Sequence, residues 1–356
     1  MTATRRDVLT GILGTALGGI AAQAAGRRWI DVHMHVIGGP AMQFGQAVEQ
    51  SLAQMDQRGI AKAVIFPPPL PAPVFDHPSY VPELRRHPDR FGFLGGGGFL
   101  NSLLHKHSDP ASVTPDVRQK FRDIAQRIVD AGAVGFGEIA LLHFSLTRNH
   151  PFEQASPEHP LMIALVEIAA RSRAVIDLHM DAIVASGDAA TPSGMKVPPN
   201  PPRVMGNIAG FERLLAHDRN ARIVWAHGGS DFTGHMTPAL IGRLMDTHSN
   251  LYVSLRPFPA GVAMSRITGL EARNTIMPEK GIAAPWLALL NKHSDRFVMG
   301  ADTFFTAPSV SPDNPTAILG RGNGPRLNAA VQLVSRLPAD LAQKIGSENA
   351  VRLYRL

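Results

Sequence analysis

The chain predicts an α/β fold, a (β/α)8 TIM barrel, and three observations predict it. Short apolar runs alternate with longer segments of helical period along nearly the whole chain. Eight such pairs can be counted, the number that a closed parallel barrel requires. Several of the apolar runs finish on His, Asp or Glu, and in that architecture the carboxyl ends of the strands converge on one rim where chemistry is done.

The first 25 residues read as an export signal. Thr4-Arg5-Arg6-Asp7-Val8-Leu9 resembles the twin-arginine motif, a Gly/Ala-rich apolar stretch runs from Gly11 to Ala22, and Ala22-Gln23-Ala24 offers the small-x-small cleavage pattern. Cleavage would leave a mature chain from about Ala25, a barrel over 26–356 and a periplasmic or otherwise exported protein. The apolar stretch is shorter than the ~20 residues a membrane span needs, and no later segment is long enough, so no stable span is expected in the mature form.

The strands expected after the signal are Trp29 to Val36, Ala61 to Phe66, Phe91 to Gly96, Ala133 to Ile139, Ala174 to Met180, Ala221 to His227, Leu251 to Leu255 and Arg296 to Ala301. Crossover helices are expected over Gln46 to Arg58, Pro115 to Ala131, Leu161 to Arg171, Gly210 to His217, Thr237 to Thr247 and Pro285 to Asn291, because parallel strands need connections of that length. Pro67-Pro68-Pro69-Leu70-Pro71-Ala72-Pro73 excludes helix and central strand, since proline fixes φ and lacks the N–H donor. It should be a stiff loop at the mouth. Leu142 to Pro160 and Ile183 to Asn207 follow strands and are rich in Gly and Pro, as substrate lids are.

A hydrophobic content of 44% with 18% charged residues fits a globular chain with a substantial core. The net charge of +6 is scattered, which slightly favours an anionic small-molecule partner but lacks the clustered basic module of a nucleic-acid binder. With no cysteine, disulfides, thiolate nucleophiles and Cys-bound zinc are excluded, so a metal must sit on His and carboxylate ligands. Homo-oligomerisation is left open; Phe75 and Phe99 are apolar residues expected in exposed loops, suited to a lid or an interface.

Asp31-Val32-His33-Met34-His35 is the strongest single feature. Strand side chains alternate, so His33 and His35 share a face and two neighbouring imidazoles can chelate one ion. A second H-x-H, His105-Lys106-His107, falls in a polar stretch and reads as ordinary solvated histidine. Gly135-Phe136-Gly137-Glu138, Val175-Ile176-Asp177-Leu178-His179, Ile223-Val224-Trp225-Ala226-His227 and Val298-Met299-Gly300-Ala301-Asp302 each end an apolar strand on a ligand-type residue. One such ending is commonplace, but several together point to a metal site. Trp225 should face away from that site as packing.

This pattern, H-x-H on strand one, carboxylate on four, His on five and six, and Asp on eight, resembles the amidohydrolase superfamily in its amidohydrolase-related branch. The ending Ser347-Glu348-Asn349-Ala350-Val351-Arg352-Leu353-Tyr354 also resembles the terminal helix of that branch. The resemblance implies that His33, His35 and Asp302 hold a buried ion and that His179 and His227 hold a second. Many members bridge the two with a carboxylated lysine, where this chain has Glu138. In the mononuclear alternative His33, His35, His179 and Asp302 bind one ion and His227 polarises substrate. The cofactor is thus one or two divalent ions, zinc first, with manganese, iron or nickel open.

Asp302 is implied as the group that takes and returns a proton. Arg256, after the seventh strand, is a candidate carboxylate clamp, and His143 and Asp181 are further substrate-side candidates. The expected reaction is hydrolysis of an ester, lactone or amide. Metal-dependent decarboxylation of an unsaturated or aromatic acid, and a non-catalytic exported binding protein, are the alternatives.

Overall fold

The computed structural model describes residues 28–69, 75–145, 151–196, 198–258, 272–278 and 281–356. The export signal expected at 1–25 and residues 70–73 of the proline-rich stretch lie outside them. Among the described residues no helix is long and apolar enough to cross a membrane.

Seven parallel barrel strands are continuous: β1 (Trp29–Ile37), β2 (Ile60–Ile65), β3 (Phe91–Gly96), β4 (Gly135–His143), β6 (Val175–Met180), β9 (Arg222–Gly228) and β10 (Leu251–Leu255). The eighth is broken. Its first half, β11 (Phe297–Met299), pairs with β10, and its second half, β12 (Thr303–Thr306), pairs with β1. That change of partner closes the sheet into the (β/α)8 barrel. The expected Arg296 to Ala301 strand is therefore two short pieces with Gly300, Ala301 and Asp302 between them.

Helices α1 (Phe44–Asp56), α4 (Pro115–Asp130), α5 (Pro160–Ser172), α6 (Ile208–His217), α7 (Pro238–Thr247) and α8 (Ala284–Lys292) agree with the expected crossovers to within a turn. Their starts are chemically marked. Thr114 and Thr237 cap α4 and α7, accepting hydrogen bonds from Val117 N and Leu240 N, and each precedes a proline whose missing N–H costs nothing at the first helical position. The shorter helices α2 (Val81–Leu84) and α3 (Phe99–Lys106) flank β3.

Two apolar layers hold the barrel. Outward residues such as Met34, Ile65, Ile176, Trp225, Val253 and Met299 join the large core under the helices. Trp225 packs edge to face on Phe211 and donates its indole N–H to Met180 O at 2.8 Å. Inside, Ile30, Val32, Val64, Leu94, Val175, Val224 and Val298 form a separate plug. The last helix, α12 (Asn349–Tyr354), seals that plug by inserting Ala350, Leu353 and Tyr354. The π-turn Lys344–Glu348 before it brings Gly346 so close to the Trp29 ring that a Cβ there would collide.

The loops hold more structure than expected. β4 runs on to His143 and receives a short antiparallel partner, β5 (Glu153–Gln154); the loop after β6 folds into a hairpin of β7 (Asp188–Ala190) and β8 (Arg203–Met205). His105-Lys106-His107 ends helix α3 instead of lying in loop, and His105 is mostly buried. Phe75 and Phe99 are only partly exposed: Phe75 packs on the core, and Phe99 stands edge-on to His77.

Candidate metal centre

Alternation along β1 places Ile30 and Val32 in the inner plug, yet His33 and His35 also turn to the interior, so the phase slips by one residue between Val32 and His33. The register irregularity between Asp31 and Met34 is the structural form of that slip. Asp31 holds it: one carboxylate oxygen accepts from His33 N and from Ala301 N of the adjoining eighth strand, both at 3.0 Å.

Two other site residues stand at irregular backbone. His227 and Asp302 have φ of 72° and 55°, a left-handed conformation that costs a non-glycine residue roughly 1–2 kcal/mol. For Asp302 the neighbours impose it. Its N–H donates to His33 O at 3.0 Å and its carbonyl accepts from Arg326 Nη1 at 2.5 Å.

These elements bring His33, His35, Glu138, His179, His227 and Asp302 together at the carboxyl end of the barrel. Glu138 is central. Its Oε1 lies 2.6 Å from His179 Nδ1 and 3.0 Å from His227 Nε2, while Oε2 lies 3.6 Å from His33 Nε2 and 3.7 Å from His35 Nε2. Asp302 Oδ1 lies 3.8 Å from His33 Nε2 and 3.5 Å from His35 Nε2. In two sets, His33 with Glu138 and His227, and His33 with His35 and Asp302, all the ligand atoms fall within 4.8 Å of one another.

The donor set fits a cation. Donors about 2.0–2.2 Å from a tetrahedral ion lie roughly 3.3 Å apart, between the 2.6–3.1 Å spacings on the His179/His227 side and the 3.5–3.8 Å spacings on the His33/His35 side. His35 Nδ1 donates to Phe66 O at 2.9 Å, which orients the ring with Nε2 toward the two carboxylates. Both His33 Nε2 and His35 Nε2 are buried and have no hydrogen-bond partner among the described residues.

The electrostatics agree. Burial alone would raise the Glu138 carboxyl, but the charges of His33 and His179, with hydrogen bonds from His179 and His227, hold it well below its ordinary range. Burial also opposes ionisation of Asp302, and is outweighed by His35, Arg256 and His227, so Asp302 too lies well below the usual range. Burial works against a charged His179, yet Glu138 and Asp181 lift it to about 9. His33 is likewise raised, by Asp177 and Glu138 against burial, whereas burial and then Arg256 push His227 down.

Arg256 is buried at the same rim, but its fork is engaged: Nη1 donates to Asp302 Oδ2 at 2.6 Å and Nε to Ser230 Oγ at 3.0 Å. Asp181 Oδ2 stands 3.7 Å from His179 Nε2, and the His143 ring meets the His179 ring edge to face at 4.5 Å. A narrow cleft beside the centre is lined by His179, Asp181, His227, Ser230, Met236 and Arg256.

Sequence reasoning missed several contributors. Asp31 and Asp177 are fully buried around His33, Asp177 Oδ1 at 3.6 Å from its Nδ1, and the repeated D-x-H spacing, Asp31-x-His33 and Asp177-x-His179, was a visible signal for both. Arg326, which donates to Asp302 O, and Asn101, which donates to Glu138 O, carried no signal, since each reaches the site from a separate helix.

No protein-family model matches the chain, and no curated protein is similar to it in sequence. Among solved structures it is similar to the phosphotriesterase from Mycobacterium tuberculosis (12% identity over 94% of this chain and 95% of that one, TM-score 0.49). It is also similar to dihydroorotase from Campylobacter jejuni (14% identity, 92% and 83%, TM-score 0.47) and 2,6-dihydroxybenzoate decarboxylase from Rhizobium (13% identity, 93% and 98%, TM-score 0.46). At these values the likeness adds nothing to the barrel already read from the strand pairing.

Proposed function

We propose that this chain is a metal-dependent hydrolase of the amidohydrolase type, acting on an ester, lactone or amide at a divalent centre held by His33, His35, Glu138, His179, His227 and Asp302. The observation that carries the reading is the placement of Glu138, whose two oxygens face two different histidine pairs as a bridging carboxylate would. Zinc suits the all-N/O donor set best.

Such a centre, when loaded, lowers the pKa of bound water from ~15.7 to roughly 7 and polarises a substrate carbonyl. The chain's own residues supply the rest. Asp302 is held as an anion with Oδ1 toward His33 and His35, and accepts a proton there while Arg256 steadies Oδ2. His227, held neutral, offers Nε2 as a ligand beside Glu138 Oε1; in the one-ion alternative that nitrogen would polarise the substrate instead. Burial of His33, His35 and Glu138 excludes bulk water from the ligand side.

Arg256 as a carboxylate anchor would support the decarboxylase alternative, but its Nη1 and Nε are turned to Asp302 and Ser230, which does not favour that role. Convergence of six ligand-type side chains favours catalysis over a passive binding role. Export by the twin-arginine signal over 1–25 belongs to the same proposal.

Elemental analysis of the purified protein tests it, with Glu138→Gln and Asp302→Asn prepared under the same metal supply. Two equivalents in the wild type that fall in Glu138→Gln support a bridged pair and call for an ester and lactone screen. One equivalent unchanged by Glu138→Gln removes the bridging role, and a wild type without bound metal overturns the function.

A further inference from the structure

Glu138 occupies a stretch of β4 that the sheet itself does not hold. On one side, the ladder with β3 stops at Gly96↔Gly137; on the other, the register with β6 is irregular between Phe136 and Ile139. The Glu138 N–H donates out of the sheet, to Pro67 O at 3.4 Å.

A side chain fills the gap. Asn101, fully buried on α3, donates through Nδ2 to Glu138 O at 2.7 Å and to Gly97 O at 2.9 Å, and accepts from Ala140 N through Oδ1 at 3.1 Å. A primary amide carries the same donor and acceptor as a peptide group. Asn101 therefore brackets Ile139 as the next strand residue would, binding the Glu138 carbonyl on one side and the Ala140 N–H on the other. Its own helix is anchored: Asp76 accepts from Gly96 N, Gly98 N and Phe99 N at 2.7–3.1 Å, fixing the turn from which α3 starts. A Cβ at Gly97 would stand 2.9 Å from Pro67 O and 3.1 Å from Glu138 N, so the turn lies tight against the strand it supports.

We propose that Asn101 is the positioning residue for Glu138, its amide standing in for the missing strand neighbour and setting the carboxylate between the two histidine pairs. The inference rests on the metal-centre reading for its consequence, metal capacity, though not for its geometry.

The test compares wild type, Asn101→Ala, Asn101→Asp and a control, Asn250→Ala. Asn250 is a buried asparagine that also bridges main-chain carbonyls, Leu215 O and Asp218 O, far from the centre. Zinc affinity is measured by chelator competition, and stability of the metal-free proteins by urea unfolding. Asn101→Ala should weaken zinc binding on the order of 10–100-fold, while Asn250→Ala, with a comparable loss of stability, should leave it near wild type. Asn101→Asp keeps the acceptor for Ala140 N and lacks the donor for Glu138 O, so it reads the same effect if Asn101→Ala does not fold. Unchanged zinc affinity in the Asn101 variants, or equal weakening in Asn250→Ala, overturns the proposal. If the wild type itself binds no zinc, the functional reading fails, and a crystal structure of the Asn101 variant decides the geometry. Glu138 Oε1 displaced from His179 sustains the positioning role, and Glu138 unmoved ends it.

Discussion

Replacing Glu153 by glutamine should make the fold more stable at neutral pH and flatten its dependence on pH. Glu153 on β5 is 3% exposed, and neither carboxylate oxygen has a hydrogen-bond partner among the described residues. Burial pushes its carboxyl from 4.5 up to about 8, with His179 opposing and Glu138 adding. An acid whose pKa is raised by folding binds its proton more tightly in the folded state. Its contribution to stability is complete below the unfolded value of 4.5 and is lost as pH climbs through about 8.

Within that window the loss is about 1.4 kcal/mol per pH unit, so from 4.5 to neutrality this group removes roughly 3 kcal/mol. Glutamine keeps the shape and the same unpartnered polar end but has no charge to create. His105, with Nε2 3.8 Å from Glu153 Oε1, is pushed down to about 4 by burial with His159 adding, and stays neutral throughout the window. Urea unfolding of wild type and Glu153→Gln at about pH 5, 6, 7 and 8, with chelator present so that bound metal does not contribute, measures the difference directly. The variant should gain under about 1 kcal/mol at pH 5 and about 3 kcal/mol at pH 7. A difference that stays constant over the range refutes the claim that Glu153 is carried as a buried neutral acid.

Zinc uptake should release protons, because His179 is lifted to about 9 and His33 is also raised; affinity should fall about tenfold for each unit by which pH is lowered, per proton displaced. Calorimetric titration at pH 7 in two buffers of different ionisation enthalpy reads the number, and no release contradicts the charge arrangement. Arg256→Met leaves Asp302 Oδ2 buried without its 2.6 Å partner and should cost the metal-free protein about 3–5 kcal/mol in unfolding free energy, where a loss under about 1 kcal/mol denies the pair its role. Ending the chain after Glu348 withdraws Ala350, Leu353 and Tyr354 from the inner plug and should cost about 4 kcal/mol or more, seen as a lower urea midpoint; an unchanged midpoint means that α12 does not seal the barrel.

Much of the barrel and of its rim was legible in the sequence because the signals are local. An apolar run of five to nine residues between turn signals declares a strand wherever its partners lie, and a ligand-type residue at its end declares the rim. His33, His35, Glu138, His179, His227 and Asp302 were all nominated on that ground, and so were the crossover helices, with Thr-Pro at two of their starts. The absence of cysteine already limited a metal to His and carboxylate donors.

What the sequence could not show arises from contacts between residues far apart in the chain. The slip of phase in β1 is held by Asp31 bonding to Ala301 N, 270 positions away, and no local periodicity records it. The break of the eighth strand follows from its change of partner, and the left-handed φ of Asp302 from its bonds to His33 O and Arg326. Arg256 was visible as a cation at the rim, but that it is turned on Asp302 and Ser230 depended on where two other loops bring those oxygens. By itself the sequence determined which chemical groups reach one end of a barrel. Only the tertiary structure decided their mutual distances, because hydrogen bonding and charge act through space, and folding sets that separation independently of the separation along the chain.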